Sequence, residues 1–379
     1  MIYLDNAATS HPKPEEVYQA INKTLRENFG NPGRSAHKPS IKANKIIEET
    51  RFLCKKLFNA DSPENIIFTN NTTTALNLAI KGIISKGDHV LTSTLEHNSV
   101  SRPLYHLEKE GICEVTKVHT DINFGLNTDV IKKAIKRNTK LVICTHISNV
   151  TGTVNDIETI GQFCRERGLV FLVDAAQSAG ARHINVQNMC IDLMAFPGHK
   201  GLLGPQGTGG LYIRNGLNIR SIFQGGTGSQ SESLSHPENL PHKLEFGTLN
   251  TPGIAGLGAG IKFILEKGID EIEKKERTLT ERLIKGLQNI NGVKIYGPDD
   301  WAVNRGNVVS ICIENTTPGE FMLMLDCGYD IAVRSGLHCA IDAHKTIGTH
   351  DKGGTIRISP NYFNTETEID TLLINCTQP

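Results

Sequence analysis

Two polar residues that follow strand-like runs carry the strongest chemical signal in this sequence of 379 residues. Asp174 follows an apolar run, and Lys200 follows the run at residues 192–196, between Gly198 and Gly201. A carboxylate at the end of a buried strand is partly desolvated and needs a cationic partner. A lysine in such a pocket has a lowered pKa, which suits Schiff-base formation with an aldehyde, and the glycines let the backbone approach a ligand. Alone, Asp174 could equally cap a helix and Lys200 could be a solvated surface charge.

A third element is the threonine-rich segment at residues 71–75, which has the character of a helix start. Backbone N–H groups at a helix N-terminus bind phosphate, although simple N-capping by threonine is the alternative. Thr72, Thr73, Asp174 and Lys200 together match the needs of pyridoxal 5'-phosphate (PLP): a phosphate site, a partner for the pyridine nitrogen and a lysine for the aldehyde. The conjunction is far more specific than any of its members.

The elements that must position these residues alternate along the first two thirds of the chain. Strand-like runs separated by helical stretches predict an α/β fold with a mostly parallel central sheet and helices on both faces. The runs are residues 65–69, 89–92, 141–145, 169–173, 192–196 and 209–213. Ligands bind at the carboxyl ends of such strands, so we expect the polar residues after the runs to converge. His97 and Asn149 also follow runs, although an isolated histidine there is more often structural.

The last third of the chain has a different pattern. After about residue 254, apolar residues at helical spacing in a charge-rich stretch predict one or two long amphipathic helices. Strand-like runs at 308–313 and 355–358 then suggest a small α+β domain. Residues 337–354 are rich in Gly, His, Asp and Lys and contain few large apolar residues, which predicts an exposed, mobile loop.

Composition and charge argue against several other classes of protein. The 40 Lys and Arg residues balance 40 Asp and Glu residues, so nucleic acid is a poor candidate for a partner. The sequence shows no signal peptide, and its apolar runs are far shorter than the roughly 18 residues that a membrane span needs. We therefore expect a cytoplasmic protein without membrane contact. The nine cysteines form no C-x-x-C pair, which argues against a metal site, and most are expected to be small buried hydrophobes.

The motifs of this sequence and their order along the chain resemble those of the class V (fold type I) PLP enzymes, and within them the cysteine desulfurases and selenocysteine lyases. The resemblance covers nearly the whole chain and is carried by residues 3–9, 72–73, 96–97, 148–152, 174–177, 198–200, 334–340 and the segment around Arg357. It implies the PLP-transferase fold type I in three parts. These are an N-terminal segment (1–15) near the small domain, a large PLP-binding domain (16–255) and a small C-terminal domain (256–379) that carries an active-site cysteine.

The resemblance also implies how the cofactor would be held. Lys200 would attach it covalently, Asp174 would pair with its pyridine nitrogen, and His97 would lie over the ring and help to move protons. The other cofactor contacts would come from Thr72, Thr73, Asn149, Gln177 and His199, and across a homodimer interface from Thr248.

Substrate binding and sulfur transfer are implied for the C-terminal motif. Arg357 would bind the substrate carboxylate, because a guanidinium matches a carboxylate through two hydrogen bonds, and Asn149 and Arg334 would lie beside it. Cys339 lies in the predicted mobile loop, where it would be exposed to a bound ligand. The resemblance implies that this cysteine takes sulfur from L-cysteine as a persulfide, leaves L-alanine, and passes the sulfur to an acceptor protein, as in iron–sulfur cluster biogenesis.

Several features leave the specific activity open. The Arg-x-Gly-x-His-Cys-Ala form at residues 334–340 is similar to the Suf-type group of desulfurases rather than the Isc-type group. Pro197 stands where many relatives carry a phosphate-binding serine, and residues 342–354 differ from the best-known members. The alternatives are a selenocysteine lyase, a cysteine sulfinate desulfinase, another class V transaminase or lyase, and, remotely, a non-catalytic scaffold for sulfur-carrier proteins. A scaffold has no need of an intact set of Lys200, Asp174, His97 and Arg357.

Overall fold

The computed structural model describes residues 1–33, 35–228, 232–298 and 305–376. The described strands are β1 (Ile2–Tyr3), β2 (Ile66–Thr69), β3 (Asp88–Ser93), β4 (Cys113–Val118), β5 (Thr139–Thr145), β6 (Val170–Asp174), β7 (Leu193–Pro197), β8 (Gly209–Ile213), β9 (Val293–Tyr296), β10 (Val309–Ile313), β11 (Ile331–Ala332), β12 (Arg334–Gly336) and β13 (Thr355–Ile358). The described helices are α1 (Glu15–Glu27), α2 (Lys38–Phe58), α3 (Thr72–Ile83), α4 (Asn98–Lys109), α5 (Thr128–Ala134), α6 (Ile157–Glu166), α7 (Thr251–Lys267), α8 (Ile269–Gln288), α9 (Pro318–Tyr329), α10 (Ile341–Thr346) and α11 (Glu366–Cys376), with short 3₁₀ turns at Pro63–Asn65 and His350–Lys352. Among these helices, none is long and apolar enough to cross a membrane.

Within the described residues, seven strands form the central sheet in the order β2-β8-β7-β6-β5-β3-β4. Neighbours from β7 to β4 are parallel, whereas β8 is antiparallel to both β7 and β2. All these strands except β8 therefore run in one direction, and their carboxyl ends lie at one edge. The predicted mostly parallel sheet is confirmed. The sequence pattern did not identify β4, an edge strand in which Glu114 and Lys117 are exposed.

Helices cover both faces of the sheet because consecutive residues of its buried strands point to opposite sides. In β6, Phe171 and Val173 belong to one hydrophobic cluster, and Leu172 between them belongs to another. In β5, Val142 and Ile143 divide in the same way. The first cluster includes residues of α2, α6 and α7, and the second includes residues of α3 and α4, so two helical layers enclose the sheet.

The C-terminal part of the chain builds its own core around the antiparallel sheet β12-β13-β10-β9. Of the two long helices before it, α7 packs in the large core through Ile254 and Ile261. In α8, Ile272 still lies in the large core, whereas Leu279 lies in the small one. The change of core thus falls inside α8, later than the expected boundary at residue 256, and the limits 16–255 and 256–379 remain proposals.

The N-terminal segment packs on the small domain. In β1, Ile2 pairs with Ile331 of β11 in a parallel arrangement, and Leu4 lies in the small core. Asp5 then forms a parallel β-bridge with Ser359, just after β13. These contacts support the proposed position near the small domain for residues 2–5, whereas Ser10 and Lys13 donate to the carbonyl oxygen of His199, after β7 of the central sheet.

The prediction of an exposed loop at residues 337–354 holds for only part of the segment, since Cys339, Ile341, Lys345, Gly348 and residues 351–353 are exposed and the rest are partly or fully buried. The segment contains α10 and a 3₁₀ turn, and it buries several side chains: His338, Ala340, Ala343, His344 and Thr349. Nδ1 of His344 lies 2.7 Å from Oγ1 of Thr349, and Nε2 of His338 lies 3.0 Å from Oγ1 of Thr355. Buried polar side chains paired in this way leave no apolar pattern in the sequence, so the segment had the composition of a loop.

Candidate active site

A cavity of about 230 Å³ opens at the carboxyl edge of the central sheet. Residues that follow β2, β3, β5, β6 and β7 line it, together with Ala7 and Ala8 and with residues of the small domain. Most of the predicted site residues are among them: Thr72, Thr73, His97, Asn149, Asp174, Gln177, His199, Lys200, Arg334 and Arg357. The predicted residues Cys339 and Thr248 lie outside this cavity.

Asp174 and Lys200 enter the cavity from adjacent parallel strands. Asp174 ends β6 opposite Ala195 of β7, and Lys200 follows β7. Burial raises the pKa of Asp174 to about 6, although a hydrogen bond from the N–H of Ala176 and the charge of Lys200 act in the other direction. Burial and then the charge of Arg357 lower the pKa of Lys200 to about 8, against the opposing effect of Asp174. Above pH 7 the site therefore combines a carboxylate with a lysine that is readily deprotonated.

The glycines beside Lys200 are required for packing within the protein, and the interpretation that they let a ligand approach stays a prediction. A Cβ atom at Gly198 would lie 2.1 Å from Oγ1 of Thr208, and one at Gly201 would lie 2.5 Å from the carbonyl oxygen of Ala179. Neither position has space for a side chain, because neighbouring segments of the protein pass too closely.

The residues near the start of α3 have the features of an anion site. Asn71 caps this helix by accepting from the N–H of Thr74 at 2.9 Å. Oγ1 of Thr72 and Nδ1 of His199 belong to cavity-lining residues, and both atoms are buried without a hydrogen-bond partner in the described part of the chain. Buried polar atoms without partners indicate a bound polar group, and a helix N-terminus favours an anion.

His97 is held at the N-terminus of α4 by contacts that the sequence analysis did not predict. Nδ1 of His97 accepts from the backbone N–H of Ser99 at 3.0 Å, and the hydroxyl of Ser99 lies 2.8 Å from that of Thr73. A backbone donor at Nδ1 leaves the proton of the neutral ring on Nε2. Burial and then the charge of Lys200 lower the pKa of His97 to about 4, so the ring is neutral near pH 7. Ser99 was missed because a serine at a helix start is an ordinary capping residue.

Arg357 and Arg334 reach the cavity from the small domain, where they are cross-strand neighbours on β13 and β12. Arg357 is almost completely buried. Its Nη2 donates to Oδ1 of Asp5 at 2.7 Å, and its Nη1 donates to the carbonyl oxygen of Asn149 at 3.3 Å. Burial lowers the pKa of Arg357, although the charge and hydrogen bond of Asp5 raise it. A guanidinium that lines a buried cavity is suited to bind a carboxylate.

Cys339 lies in a neighbouring cleft of about 490 Å³. Thr73, His97 and Ser99 line both this cleft and the first cavity, so the cysteine is close to the cavity without lining it. Its side chain is exposed, and Nη2 of Arg334 donates to its Sγ at 3.7 Å. An accessible thiol thus lies beside a cation in the cleft next to the cavity.

The turn that carries Cys339 has an unusual backbone. His338 and Cys339 have φ angles of 46° and 57°, left-handed values that cost a residue with a side chain about 1–3 kcal/mol. Two hydrogen bonds hold the turn: the N–H of Asn98 donates to the carbonyl oxygen of Cys339, and Nδ2 of Asn149 donates to that of His338, each at 2.7 Å. Neither residue is Gly or Asn, so no sequence pattern indicated this conformation.

Thr248 is exposed in its own chain. The segment before it is anchored by a buried ion pair, in which Arg51 donates to both carboxylate oxygens of Glu245 at 2.8 and 2.9 Å. Glu245 also accepts from the N–H of Phe68 in β2 at 2.7 Å. The expected contribution of Thr248 to the cofactor site of a second copy stays a prediction.

Glu96, next to His97, gives the site a pH-dependent contribution to stability. Its Oε1 accepts from the hydroxyl of Ser93 at 2.5 Å and from the N–H of Thr145 at 2.9 Å, and its Oε2 is buried without a partner in the described residues. Burial raises the pKa of Glu96 from an ordinary value of 4.5 to about 8. Between these values the unfolded chain releases the proton and the folded chain keeps it, so this group lowers stability as pH rises.

The substitution Glu96→Gln removes this titration. As the pH rises from about 5 to about 8, we expect the free energy of unfolding of the variant to increase by roughly 1–3 kcal/mol relative to that of the wild type, because glutamine does not ionise. Melting temperatures of both proteins across this range measure the effect, and the same change at exposed Glu158 is the control. A difference between Glu96→Gln and the wild type that stays constant with pH would contradict a protonated Glu96.

The fold and this cavity define an α/β enzyme in which Lys200 and Asp174 line one cavity at the carboxyl edge of the sheet. The chain belongs to the aminotransferase class-V family, whose model matches residues 2–372.

Several relatives of the chain are named for one activity. The chain is 38% identical over 376 residues to "Probable cysteine desulfurase" of Methanothermobacter thermautotrophicus, a match that covers 98% of this chain and 92% of the relative. It is 35% identical over 384 residues to "Cysteine desulfurase IscS" of Pectobacterium carotovorum, covering 97% and 90%. The apo structure of cysteine desulfurase from Thermococcus onnurineus NA1 superposes with a TM-score of 0.92 at 34% identity, covering 100% and 94% of the two chains. The predicted fold is confirmed, while the similarity to an IscS protein leaves the Suf-type grouping a prediction.

Proposed function

We propose that the chain is a PLP-dependent cysteine desulfurase, which converts L-cysteine to L-alanine and holds the sulfur as a persulfide on Cys339. The observation that carries this proposal is that Lys200 and Asp174 line one cavity and that exposed Cys339 lies in the adjoining cleft. A lysine and a carboxylate serve the cofactor, and an accessible thiol beside Arg334 serves sulfur transfer. The names of the relatives agree with this activity.

The residues of the cavity fit PLP. Oγ1 of Thr72 and Nδ1 of His199, which are buried without partners in the described residues, would bind the phosphate together with the N-terminus of α3. Asp174 would pair with the pyridine nitrogen, and Nζ of Lys200 would bind the aldehyde carbon. Further contacts would come from Thr73, His97, Asn149 and Gln177, and the missing hydroxyl at Pro197 would make the other phosphate contacts more important.

Arg357 would orient the amino acid by binding its carboxylate, with Asn149 and Arg334 beside it. When bound, the cofactor supplies an electron-withdrawing ring that stabilises negative charge on the α-carbon of an amino acid. Nζ of Lys200 would take the α-proton, and its pKa of about 8 suits a base that works near neutral pH. His97, neutral near pH 7, would hold a proton at Nε2 over the ring.

Sulfur transfer in this proposal needs no added oxidant or reductant. Sγ of Cys339 forms a bond to the substrate sulfur while the bond between that sulfur and the β-carbon breaks, and the β-carbon gains a proton. One thiol and one L-cysteine therefore give one persulfide and one L-alanine, with atoms and electrons balanced. Arg334, whose Nη2 is 3.7 Å from Sγ, would stabilise negative charge on the sulfur.

The proposal predicts that the purified holo protein forms alanine from L-cysteine, with one persulfide sulfur for each alanine before an acceptor is added. Parallel assays with L-selenocysteine and L-cysteine sulfinate test the alternative lyase reactions, and kcat/KM for alanine formation decides between them. A higher kcat/KM for either of these substrates would replace the proposed one. Bound cofactor without alanine from any of them would favour another class V reaction, and a protein that binds no PLP would favour the scaffold.

We also propose a homodimer in which Thr248 completes the phosphate site of the second copy. The exposure of Thr248 and the anchoring of its segment through Glu245 support this arrangement. The exposure of Cys339 supports transfer of its sulfur to an acceptor protein, as in iron–sulfur cluster biogenesis. A cytoplasmic location, with no nucleic-acid or membrane partner, belongs to the same proposal.

A further inference from the structure

Asp5 forms an ion pair with the arginine assigned to the substrate carboxylate. Oδ1 of Asp5 accepts from Nη2 of Arg357 at 2.7 Å, although the two residues are 352 positions apart in the chain. Arg357 lines the cavity, whereas Asp5 does not. The carboxylate thus holds the guanidinium from outside the space that a ligand would occupy.

The backbone on both sides of Asp5 is fixed by the small domain. The N–H of Leu4 donates to the carbonyl oxygen of Ala332 at 2.9 Å, and the N–H of Ser359 donates to that of Leu4 at 2.7 Å. The N–H of Asn6 donates back to the carbonyl oxygen of Ser359 at 3.2 Å. Because Ser359 follows Arg357 by two residues, the same contacts set the position of the carboxylate relative to the guanidinium.

The positive charges around Arg357 make the carboxylate of Asp5 important as its ion-pair partner. Arg334 is its cross-strand neighbour, and Lys200 lines the same cavity, so Arg357 lies among like charges. Like charges opposite each other on neighbouring strands repel, and a buried guanidinium without a partner is strongly unfavourable. In the described part of the chain, the carboxylate that forms an ion pair with Arg357 is that of Asp5.

We propose that Asp5 is a positioning residue for the substrate. It holds Nη2 of Arg357 while the carbonyl oxygen of Asn149 accepts from Nη1, so that the N–H groups left over bind the carboxylate of the amino acid. This inference rests on the proposed function, because it assumes that Arg357 binds that carboxylate. The ligand class that Asp5 selects is therefore an amine that carries an α-carboxylate.

The test compares two ligands that differ only in the carboxylate. L-Cysteine and cysteamine are titrated into the holo protein in a Cys339→Ser background, and the change in the visible spectrum of the cofactor reports binding without turnover. Asp5→Asn keeps the shape of the side chain and removes its charge. We expect it to weaken L-cysteine binding by about tenfold, the size of one charge-assisted hydrogen bond, and to change cysteamine binding by less than about twofold.

Equal weakening of both ligands would mean that Asp5 has only a structural role, and no weakening of L-cysteine would also overturn the inference. Arg357→Lys in the same titrations separates this inference from the proposed function. If Arg357→Lys leaves L-cysteine binding unchanged, the assignment of Arg357 itself fails. If Arg357→Lys weakens L-cysteine binding and Asp5→Asn does not, only the role of Asp5 fails.

A matched control removes an exposed ion pair elsewhere. Asp370 accepts from Nε of Arg282 at 2.6 Å on the surface, and Asp370→Asn should change the binding of neither ligand. If Asp5→Asn does not fold, Asp5→Glu carries the test, since it keeps the charge but moves it. We then expect weaker binding of L-cysteine alone, and an equal effect on cysteamine would overturn the inference.

Discussion

Replacing Lys200 by alanine is expected to abolish the covalent attachment of PLP and to lower the rate of alanine formation by about 1000-fold or more. Nζ of Lys200 is assigned two tasks, the covalent link and the movement of the α-proton, and a positioned acid–base group alone contributes about 100- to 10,000-fold. The visible spectrum of the purified variant reports the link. Reduction with borohydride followed by mass spectrometry identifies the modified residue in the wild type.

A second lysine provides a matched control. Burial lowers the pKa of Lys13 to about 8, the same value as for Lys200, but Nζ of Lys13 donates to the hydroxyl of Ser10 at 2.6 Å and to the carbonyl oxygen of His199 at 2.9 Å. It does not line the cavity. Lys13→Ala should therefore keep the covalent link. A Lys200→Ala protein that still carries borohydride-fixed PLP would contradict the assignment.

Replacing Cys339 by serine is expected to keep the cofactor spectrum and to lower desulfuration of L-cysteine by at least about 100-fold, because serine does not accept sulfur as a persulfide. The change replaces the sulfur atom by an oxygen atom and keeps the shape of the side chain. Alanine formation and protein-bound sulfane sulfur are the two readouts. Both should fall together, since each alanine requires one transferred sulfur.

Cys327 is the control for this variant, because it is the other exposed cysteine among the described residues and lies on α9. Cys327→Ser should retain both alanine formation and bound sulfur. Release of sulfur by Cys339→Ser at the wild-type rate would mean that the sulfur leaves without a persulfide on this residue.

The sequence was informative where polar residues follow apolar runs. Asp174, Lys200, His97 and Asn149 each come after a run that forms a strand, and parallel strands bring their carboxyl ends to one edge. Local pattern and sheet direction were therefore enough to predict that these side chains share a cavity. The roles of Gln177, Arg334 and Arg357 came from the resemblance to known enzymes.

Features that depend on contacts between distant segments were not predictable. Asp5 and Arg357 meet because β1 pairs with β11 and Asp5 bridges to Ser359, and no periodicity in the sequence indicates such pairings. The burial of His338, His344 and Thr349 was missed because these polar side chains are buried together with hydrogen-bond partners. The proposed contribution of Thr248 needs a second copy of the chain, and no pattern within one sequence indicates where a second copy packs.

The most direct test of the account is the mass of the peptide that contains Cys339 after a single turnover. The holo protein is mixed with less than one equivalent of L-cysteine, alkylated without reductant and digested, and alanine is measured in the same sample. The account predicts that this peptide gains the mass of one sulfur atom in proportion to the alanine formed. Alanine formation with the sulfur absent from Cys339, or present on another cysteine, would contradict it.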